Sequence, residues 1–434
     1  MKLAISGGKP LRVEPFPAYK VIGQEEKDAA MRVLDSGILS RYLGCWHDDF
    51  YGGPEVKALE KEWADYFEAK HAIAVNSCTS GLYCAVGATG IEPGEEVIVS
   101  PYTMTASVTA ALVFNAVPVF ADIEKDYFCL DPISIEERIT PRTRAIIVVD
   151  IFGLPFDVDA INEIARKHNI CVIEDAAQAP GAKFGEKYAG TLGDIGIFSL
   201  NYHKHIHCGE GGVIVTDNDT LAEKMRLIRN HAEAVVEGHG ISDITNLIGF
   251  NFRLPEIEAA ITRSQLSKLE SLIKERQQNC EYLADQLDQI PALIPPAIRK
   301  NCTHAYYTHT FKFKKDRAGL DRNTFIDAVR AELPVTILRE GEGPLLTPGY
   351  VEPLYFQPIF QNKQAYGTKG CPFKKPWYNG SVSYDRGICP VTEKLQADEI
   401  FTHELMRPGM SRNDLDDVIA AFYKVWENRN ELMS

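Results

Sequence analysis

No stretch of the 434-residue chain is apolar for long enough to cross a membrane. The first residues also lack the sustained apolar run of a secretory signal, so we expect a cytoplasmic protein without a membrane partner. Ten cysteines occur, but no two are spaced as Cys-x-x-Cys. This usage is typical of free thiols in a reducing compartment and predicts no disulfide framework.

Positive charge is also scarce. Lysine and arginine together number 46 against 60 aspartates and glutamates, and the formal net charge is −14. Such a balance disfavours nucleic acid as a partner, so we expect small-molecule ligands instead. The chain contains neither an internal repeat nor a low-complexity tract. Its length suffices for two globular domains.

Apolar, strand-like runs alternate with helical patterns through the first half of the chain. The candidate strands are 72–75, 97–99, 117–120, 145–149, 171–173, 195–199 and 212–216. This alternation predicts an α/β domain with a mostly parallel central sheet and helices on both faces. Ligands of such sheets bind beyond the carboxyl ends of the strands.

The second half predicts a smaller α+β domain. It has one long helical pattern over 256–288, a strand over 305–313, and helices over 322–332 and 412–427. We place the large domain at 1–265 and the small domain at 266–434. The irregular segment 340–383 is rich in glycine, proline, aromatic residues and lysine. A loop of this length is often functional; it could hold a sugar ring and an anionic group, or simply pack as surface structure.

Lys204 and Asp175 carry the chemistry. Lys204 lies in a polar, glycine-rich connection between two strand candidates, and Asp175 directly follows an apolar strand. A lysine amine can form a Schiff base with an aldehyde cofactor. A carboxylate can keep a pyridine nitrogen protonated, which makes the ring an electron sink. Together the two residues indicate pyridoxal phosphate (PLP).

A phosphate cradle precedes both residues in the chain. The segment 76–81, Asn-Ser-Cys-Thr-Ser-Gly, follows a strand candidate and opens a helical one. Small hydroxyl residues at a helix start leave backbone N–H groups free to face a phosphate. An ordinary Ser/Thr helix cap would have the same sequence. The motif therefore indicates a phosphate site only because the Asp175 and Lys204 motifs follow it in the chain.

From about residue 29 to its end, the chain resembles the DegT/StrS family of sugar aminotransferases. The similar segments are 53–60, 90–98, 174–178, 199–212 and 249–254. The resemblance implies the PLP-dependent transferase fold of type I and a homodimer whose sites are shared between subunits.

The resemblance also assigns roles by position. Lys204 would bind the cofactor aldehyde, Asp175 would pair with the pyridine nitrogen, and Gln178 would lie near the ring hydroxyl. Three residues, Cys78, Thr79 and Ser199, would hold the phosphate, and Asn251 would reach it from the second subunit. The family usually places an aromatic residue over the ring where this chain has Met104. Either this thioether or Tyr102 is expected to take that place.

The histidines invite a second interpretation. His203, His205 and His207 would share one face of a strand, as in a metal site. Because Lys204 lies among them and no acidic or thiolate partner is placed nearby, we expect no metal. We expect these histidines to have a structural or a substrate-contacting role, with His203 as a candidate substrate contact, and His309 matches a family position near the substrate.

The predicted reaction moves an amino group from glutamate or glutamine to a keto sugar, in amino-sugar synthesis for a surface polysaccharide such as lipopolysaccharide. Candidate acceptors are a keto form of 3-deoxy-octulosonate, a nucleotide-linked keto sugar and a keto-inositol. One alternative is a PLP-dependent sugar dehydratase, although the family's dehydratases tend to have histidine at the position of Lys204. Another is a PLP-binding regulatory protein without turnover, which usually carries an added DNA-binding segment.

Overall fold

The structure, a computed structural model, describes residues 2–433, with only the backbone of His239. Nine strands belong to its first half: β1 His71–Val75, β2 Glu96–Val99, β3 Val117–Phe120, β4 Thr143–Val149, β5 Cys171–Asp175, β6 Lys183–Phe184, β7 Lys187–Tyr188, β8 Ile195–Ser199 and β9 Gly212–Thr216. Seven of them form one sheet in the order β1-β9-β8-β5-β4-β2-β3. Strand β9 alone runs against the others in this sheet, so the predicted mostly parallel sheet is confirmed.

Helices cover both faces of this sheet: α1 Gln24–Ser36, α2 Pro54–Phe67, α3 Cys78–Ala88, α4 Thr105–Val113, α5 Pro132–Arg138, α6 Val158–His168, α7 Asp219–Arg229, α8 Val236–His239 and α9 Glu256–Leu266. Alternate residues of β1 show the two-sided burial. Ile73 packs in the cluster that contains α3 and α7, whereas Ala72 packs in the cluster that contains α2 and α9. Burial on both faces explains why these strands read as almost continuous apolar runs.

The register brings the functional motifs to one edge of the sheet. Val75, the last residue of β1, lies opposite Gly212, the first residue of β9. Ser199, the last residue of β8, lies opposite Gly212 on its other side. Asp175 ends β5, which pairs in parallel with β8. The segments that follow β1, β5 and β8 therefore emerge side by side, as ligand sites in such sheets require.

A second, antiparallel sheet forms the core of the C-terminal part, in the order β10-β11-β13-β12. Its strands are β10 Leu293–Ile294, β11 His309–Phe313, β12 Leu346–Pro348 and β13 Ile400–His403. The helices of this part are α10 Leu269–Leu287, α11 Lys315–Ala318, α12 Arg322–Glu332, α13 Pro358–Gln361, α14 Pro390–Lys394 and α15 Arg412–Asn428. One apolar cluster joins β11 and β13 to α10, α12 and α15.

Two predicted elements differ in the structure. The helix predicted over 256–288 is two helices, α9 and α10, separated by a turn at Ser267 and Lys268. The strand predicted over 305–313 begins only at His309. Residues before it turn instead toward the large sheet, where the Tyr307 amide donates to the Phe152 carbonyl at 2.7 Å. The contact between Tyr307 and Phe152 thus takes the place of the first half of the predicted strand.

The N-terminal segment packs with the C-terminal part of the chain. Leu3 and Phe16 are buried in the cluster of the small sheet, and Arg12 forms an ion pair with Asp414 at 2.6 Å. This packing differs from the predicted large domain at 1–265, which includes the N-terminal segment. We propose instead that the residues before α1 belong with the small domain, while the division near residue 266 stays a prediction.

The segment 340–383 is less irregular than predicted, because it contains β12, α13 and short 3₁₀ turns at Glu340–Glu342 and Leu354–Phe356. Many of its aromatic side chains cover the β3 edge of the large sheet. The Tyr378 hydroxyl donates to Glu96 at 2.6 Å, and Phe360 packs on Phe120. Lys363 donates to the Val382 carbonyl. Packing on the large sheet therefore accounts for the part of this segment around Phe360 and Tyr378.

Among residues 2–433, no helix combines the length and the apolar character that crossing a membrane needs.

Candidate active site

The segment after β1 forms a capped helix start. Ser77 is the N-cap of α3, and its hydroxyl accepts a hydrogen bond from the Ser80 amide at 3.0 Å. The amides of Cys78 and Thr79 precede the first intrahelical hydrogen bond and lie at the positive end of the helix dipole. Gly212 allows β9 to approach closely, because a Cβ there would lie 2.7 Å from the Cys78 nitrogen. This geometry suits a phosphate group.

Asp175 is a buried carboxylate with few partners. One oxygen accepts from the Ser107 hydroxyl at 2.7 Å, and the other from the Ala177 amide at 3.2 Å. Burial raises the pKa of Asp175, whereas these hydrogen bonds and the nearby charge of Lys204 lower it. The Cys78 sulfur lies 4.0 Å from the carboxylate. A buried carboxylate in this setting favours a cationic partner.

The connection that carries Lys204 is anchored at several points. The Lys204 amide donates to the Asn201 carbonyl at 2.8 Å. Next to it, the His205 imidazole contacts the Ala305 carbonyl at 2.8 Å, and the Tyr19 hydroxyl donates to the His205 carbonyl at 2.5 Å. The N-terminal segment and the small domain therefore both hold the lysine in place.

The Lys204 amine is half-buried and lies over an aromatic ring. Its nitrogen is 4.1 Å from the centre of the Tyr307 ring, a cation–π distance. Its charge also acts on the Cys78 thiol, where it opposes the increase in pKa that burial and Asp175 cause. These couplings place the amine near both the phosphate cradle and the buried carboxylate.

Gln178 connects the site to two other parts of the chain. Its amide oxygen accepts from the Phe152 amide at 2.7 Å, and its amide nitrogen donates to the Tyr350 hydroxyl at 3.1 Å. Phe152 has a φ of 60°, a left-handed conformation that a bulky residue adopts at some cost. The hydrogen bonds of the Phe152 amide to Gln178 and of its carbonyl to the Tyr307 amide hold this conformation and fix Gln178 in position.

The structure identifies Ser107, Tyr307 and Tyr350, none of which was predicted to belong to the site. Ser107 lies in the first turn of α4, Tyr307 precedes β11, and Tyr350 follows β12. Local patterns do not mark them, because each reaches the site through tertiary packing. The aromatic content of the segment 340–383 was the only signal that pointed toward Tyr350.

The prediction that His309 contacts substrate is wrong for this structure. The side chain has no exposed surface and packs against Phe311 and His403 inside the small domain. Burial holds the pKa of His309 well below its usual value. The residue two positions earlier, Tyr307, faces Lys204 instead, because the chain turns before β11 begins.

Tyr102 also does not face a ligand. It is fully buried, its hydroxyl donates to the Gln396 side chain at 2.7 Å, and its ring packs edge-on against Tyr350. Tyr102 therefore supports Tyr350 rather than stacking on a cofactor. Met104, the N-cap of α4, is 63% exposed, and its contact with the cofactor ring stays a prediction.

The three alternating histidines lie in turns, not on a strand, so they do not share a face. His205 is buried, and its pKa is lowered by burial. His203 is half-buried, with its ring centre 3.7 Å from that of Tyr202. Its substrate contact stays a prediction. Within the described part of the chain, no cluster of histidine, cysteine and carboxylate groups could hold a metal ion.

Asn251 is exposed at the rim of the site. Its side-chain oxygen accepts from Arg253 at 2.7 Å, and its backbone carbonyl accepts from the Asn76 side chain at 3.3 Å. Asn76 directly precedes the helix start that we assign to the phosphate. Asn251 thus lies close to its own chain's cradle, with its side chain directed along the surface toward Arg253.

These groups fit pyridoxal phosphate. Helix N–H groups match a phosphate, a buried carboxylate matches a protonated pyridine nitrogen, and a lysine amine matches an aldehyde. Each comes from a different strand end, the Cys78 sulfur lies 4.0 Å from the Asp175 carboxylate, and the charge of Lys204 lowers the pKa of both groups.

A sequence profile of the DegT/DnrJ/EryC1/StrS aminotransferase family matches residues 46–423. The chain belongs to this family. It is therefore a PLP-dependent aminotransferase, as the lysine and aspartate motifs predicted.

Curated relatives match this aminotransferase along nearly its whole length. The spore coat polysaccharide biosynthesis protein SpsC of Bacillus subtilis is 31% identical over 407 residues, which cover 92% of this chain and 94% of that protein. The L-glutamine:2-deoxy-scyllo-inosose aminotransferase of Streptomyces kanamyceticus is 31% identical over 438 residues, which cover 99% and 97%.

Solved structures agree on the fold. The aminotransferase from Psychrobacter cryohalolentis has a TM-score of 0.78 at 26% identity, covering 95% of this chain and 99% of that one. DesV of S. venezuelae, solved with a ketimine intermediate, has a TM-score of 0.75 at 28% identity, covering 93% and 95%. The predicted transferase fold is confirmed.

Proposed function

We propose that this aminotransferase moves an amino group from L-glutamine or L-glutamate to a ketone carbon of a sugar or cyclitol. The observation that carries the proposal is a cavity of about 220 Å³ lined in part by Tyr307, the residue whose ring lies beneath the Lys204 amine. Its walls include the hydroxyl-bearing side chains Tyr307, Thr308, Thr347, Tyr350 and Thr402. Hydroxyl groups both donate and accept hydrogen bonds, which suits a polyhydroxylated ring.

The relatives support the same proposal by their names. One is named for the biosynthesis of spore coat polysaccharide, and another for the transfer of an amino group from L-glutamine to 2-deoxy-scyllo-inosose. We propose an amino sugar or aminocyclitol product, made in the cytoplasm, with a surface polysaccharide as one destination.

The chain's own residues divide the chemical work. When bound, the cofactor supplies an electron sink for the carbon that loses a proton. We propose that the Lys204 amine carries that proton, since it lies over the ring of Tyr307, which lines the cavity. Asp175 would hold the positive charge at the ring nitrogen of the bound cofactor, and the Ser107 hydroxyl, which donates to Asp175, would orient it.

The structure bears on the choice of acceptor. The lysines of the segment 340–383 had suggested a carboxylate or diphosphate on the acceptor. Lys363 instead bonds the Val382 carbonyl, and that segment packs on the edge of the large sheet. We therefore propose a neutral keto-inositol or keto sugar first. A nucleotide-linked keto sugar and a keto form of 3-deoxy-octulosonate are the other candidates.

A panel of amino-sugar and aminocyclitol products tests the acceptor. Each product is added to the PLP enzyme, and conversion of the cofactor to its amine form is followed by absorbance. We expect rapid conversion by a neutral amine and not by its N-acetylated counterpart, which serves as the matched control. Conversion only by nucleotide-linked or acidic amines would contradict the neutral acceptor. Loss of a hydroxyl from the substrate without amino transfer would favour the dehydratase.

We also propose that the enzyme is a homodimer whose sites are completed by the second subunit. Apolar side chains remain exposed near Asn251, among them Ile38, Leu39, Leu43 and Ile248. Leu43 is connected to the rim of the site through Asn230. The Asn230 side chain donates to the Leu43 carbonyl, and the Asn230 backbone pairs with Asn251. Exposed apolar surface of this kind is typical of subunit contacts.

Mixing two defective variants tests the shared site. Asn251→Ala should weaken PLP binding about tenfold, the worth of one hydrogen bond to a charged group. Lys204→Ala should be inactive. A mixed dimer would contain one site with both defects and one with neither, so activity at limiting PLP should exceed that of both parents.

Exchange of Lys204→Ala with unmodified enzyme provides the control for subunit mixing. If exchange is complete and the Lys204→Ala and Asn251→Ala mixture recovers no activity, Asn251 serves the site of its own chain.

A further inference from the structure

Arg339 lies between two carboxylates beside the site. Its guanidinium contacts Glu404 at 3.0 Å and contacts Glu342 through two of its nitrogens. Only 12% of the Arg339 side chain is exposed. An arginine that is largely buried needs such partners, and planar guanidinium groups match carboxylates well.

Arg339 also belongs to the wall of the hydroxyl-lined cavity, together with Tyr307 and Tyr350. The Tyr307 ring is the one beneath the Lys204 amine. Burial raises the pKa of Tyr307 and the Glu404 charge raises it further, whereas the Arg339 charge lowers it. A fixed positive charge therefore lies within electrostatic range of the place where the amino group is exchanged.

The two carboxylates that hold Arg339 are unlike each other. Glu404 follows β13, is little exposed, and also pairs with Arg407. Glu342 is 43% exposed and ends a three-residue turn. That turn contains Gly341 and is followed by Gly343 at a φ of 70°. Glutamate on such a turn can leave the arginine at little cost, whereas Glu404 cannot.

We propose that Glu342 occupies a substrate-carboxylate site on Arg339 and gives it up when the amino donor binds. This inference rests on the proposed function and names the group that recognises the donor. The donor's carboxylate takes the place of the Glu342 carboxylate on the guanidinium, and Glu342 turns into solvent. Arg339 keeps Glu404 throughout.

The exchange has a clear physical advantage. In the donor-free enzyme Glu342 pairs with Arg339, so that the largely buried guanidinium charge is not left unpaired. When a donor binds, one ion pair is replaced by another, so the site discriminates by charge. A neutral amine has no group to displace Glu342, and every amino acid does.

Binding of glutarate to the PLP enzyme tests the exchange without turnover. Calorimetry should show glutarate affinity reduced about 10- to 100-fold in Arg339→Gln, the range for a hydrogen bond between charged groups. Glu342→Gln should bind glutarate about 2- to 5-fold more tightly, because the competing ion pair is partly exposed. Glu340→Gln, on the same turn, is the matched control and should bind glutarate as the unmodified enzyme does. Uncharged glutaramide should bind no variant measurably better than it binds the unmodified enzyme.

Kinetics of the two half-reactions separate the donor from the acceptor. Arg339→Gln should raise the donor KM about 10- to 100-fold and leave the KM of a neutral acceptor unchanged. If only an acidic acceptor is affected, the site serves the acceptor and the inference is wrong. If Arg339→Gln does not fold, Glu342→Gln decides alone: unchanged or weaker glutarate binding overturns the exchange.

The unmodified enzyme distinguishes this inference from the proposed function. If it accepts an amino group from no amino acid, both fail. If it accepts one, and the Arg339→Gln and Glu342→Gln variants bind glutarate as the unmodified enzyme does, only the role of Arg339 fails.

Discussion

Lys204→Ala should reduce turnover by at least about 10⁴-fold, the upper range for loss of a positioned general acid–base group. The amine lies over the ring of Tyr307, which lines the hydroxyl-lined cavity. The cofactor should still bind through the cradle at the start of α3, but without a covalent link. Stopped-flow absorbance with saturating L-glutamine or L-glutamate measures the first half-reaction directly.

Lys204→Arg is the matched variant for that experiment, because it keeps the positive charge over Tyr307 but cannot form the covalent link or release a proton readily. We expect it to be as inactive as Lys204→Ala. Activity within about tenfold of the unmodified enzyme in either variant would contradict the role of Lys204.

Asp175→Asn should reduce the rate of the first half-reaction about 100-fold or more, equivalent to about 2.7 kcal/mol. The carboxylate charge stabilises the protonated ring most when electrons accumulate there, so the rate should fall more than the affinity. PLP affinity should change by about tenfold at most, because the phosphate cradle is untouched. Single-turnover rates and equilibrium dialysis of PLP measure the two effects separately.

Ser107→Ala is the graded control for Asp175. Its hydroxyl donates to the Asp175 carboxylate at 2.7 Å, so its loss should slow the reaction about tenfold, less than loss of the charge. Equal rates for Asp175→Asn and the unmodified enzyme would remove Asp175 from the site. A larger effect of Ser107→Ala than of Asp175→Asn would assign the ring nitrogen to another group.

The features that could be predicted from the sequence are those encoded locally. Strand β8 has the bounds that were predicted for it, and all five of its residues are buried, as expected for a strand that is covered on both faces. The order of strand, Asp175, strand and lysine loop predicted that these motifs meet at one sheet edge. The parallel register then brings them there.

The features that could not be predicted depend on tertiary contacts. His309 was predicted to contact substrate because it matched a family position. The chain turns before β11, so that Tyr307 faces the site and His309 is buried in the small domain. Tyr102 lies in the right segment but turns inward to Gln396. Arg339 is far along the chain from the lysine, and no periodicity marks a residue between two elements.

The role of the segment 340–383 also could not be predicted from the sequence. Its aromatic and basic composition was compatible with a ligand site and with packing, and composition alone cannot choose. The outcome is divided: Tyr378 and Phe360 cover the sheet edge, and Tyr350 reaches Gln178. Which aromatic side chain faces the site depends on β12, a strand too short to predict.

The most direct test of this site is to locate the covalent bond to the cofactor. The purified PLP enzyme is reduced with borohydride, digested, and mapped by mass spectrometry. We predict one modified residue, Lys204, with no modification there in Lys204→Ala. A stable adduct on any other lysine, or none on protein that contains PLP, would contradict the account.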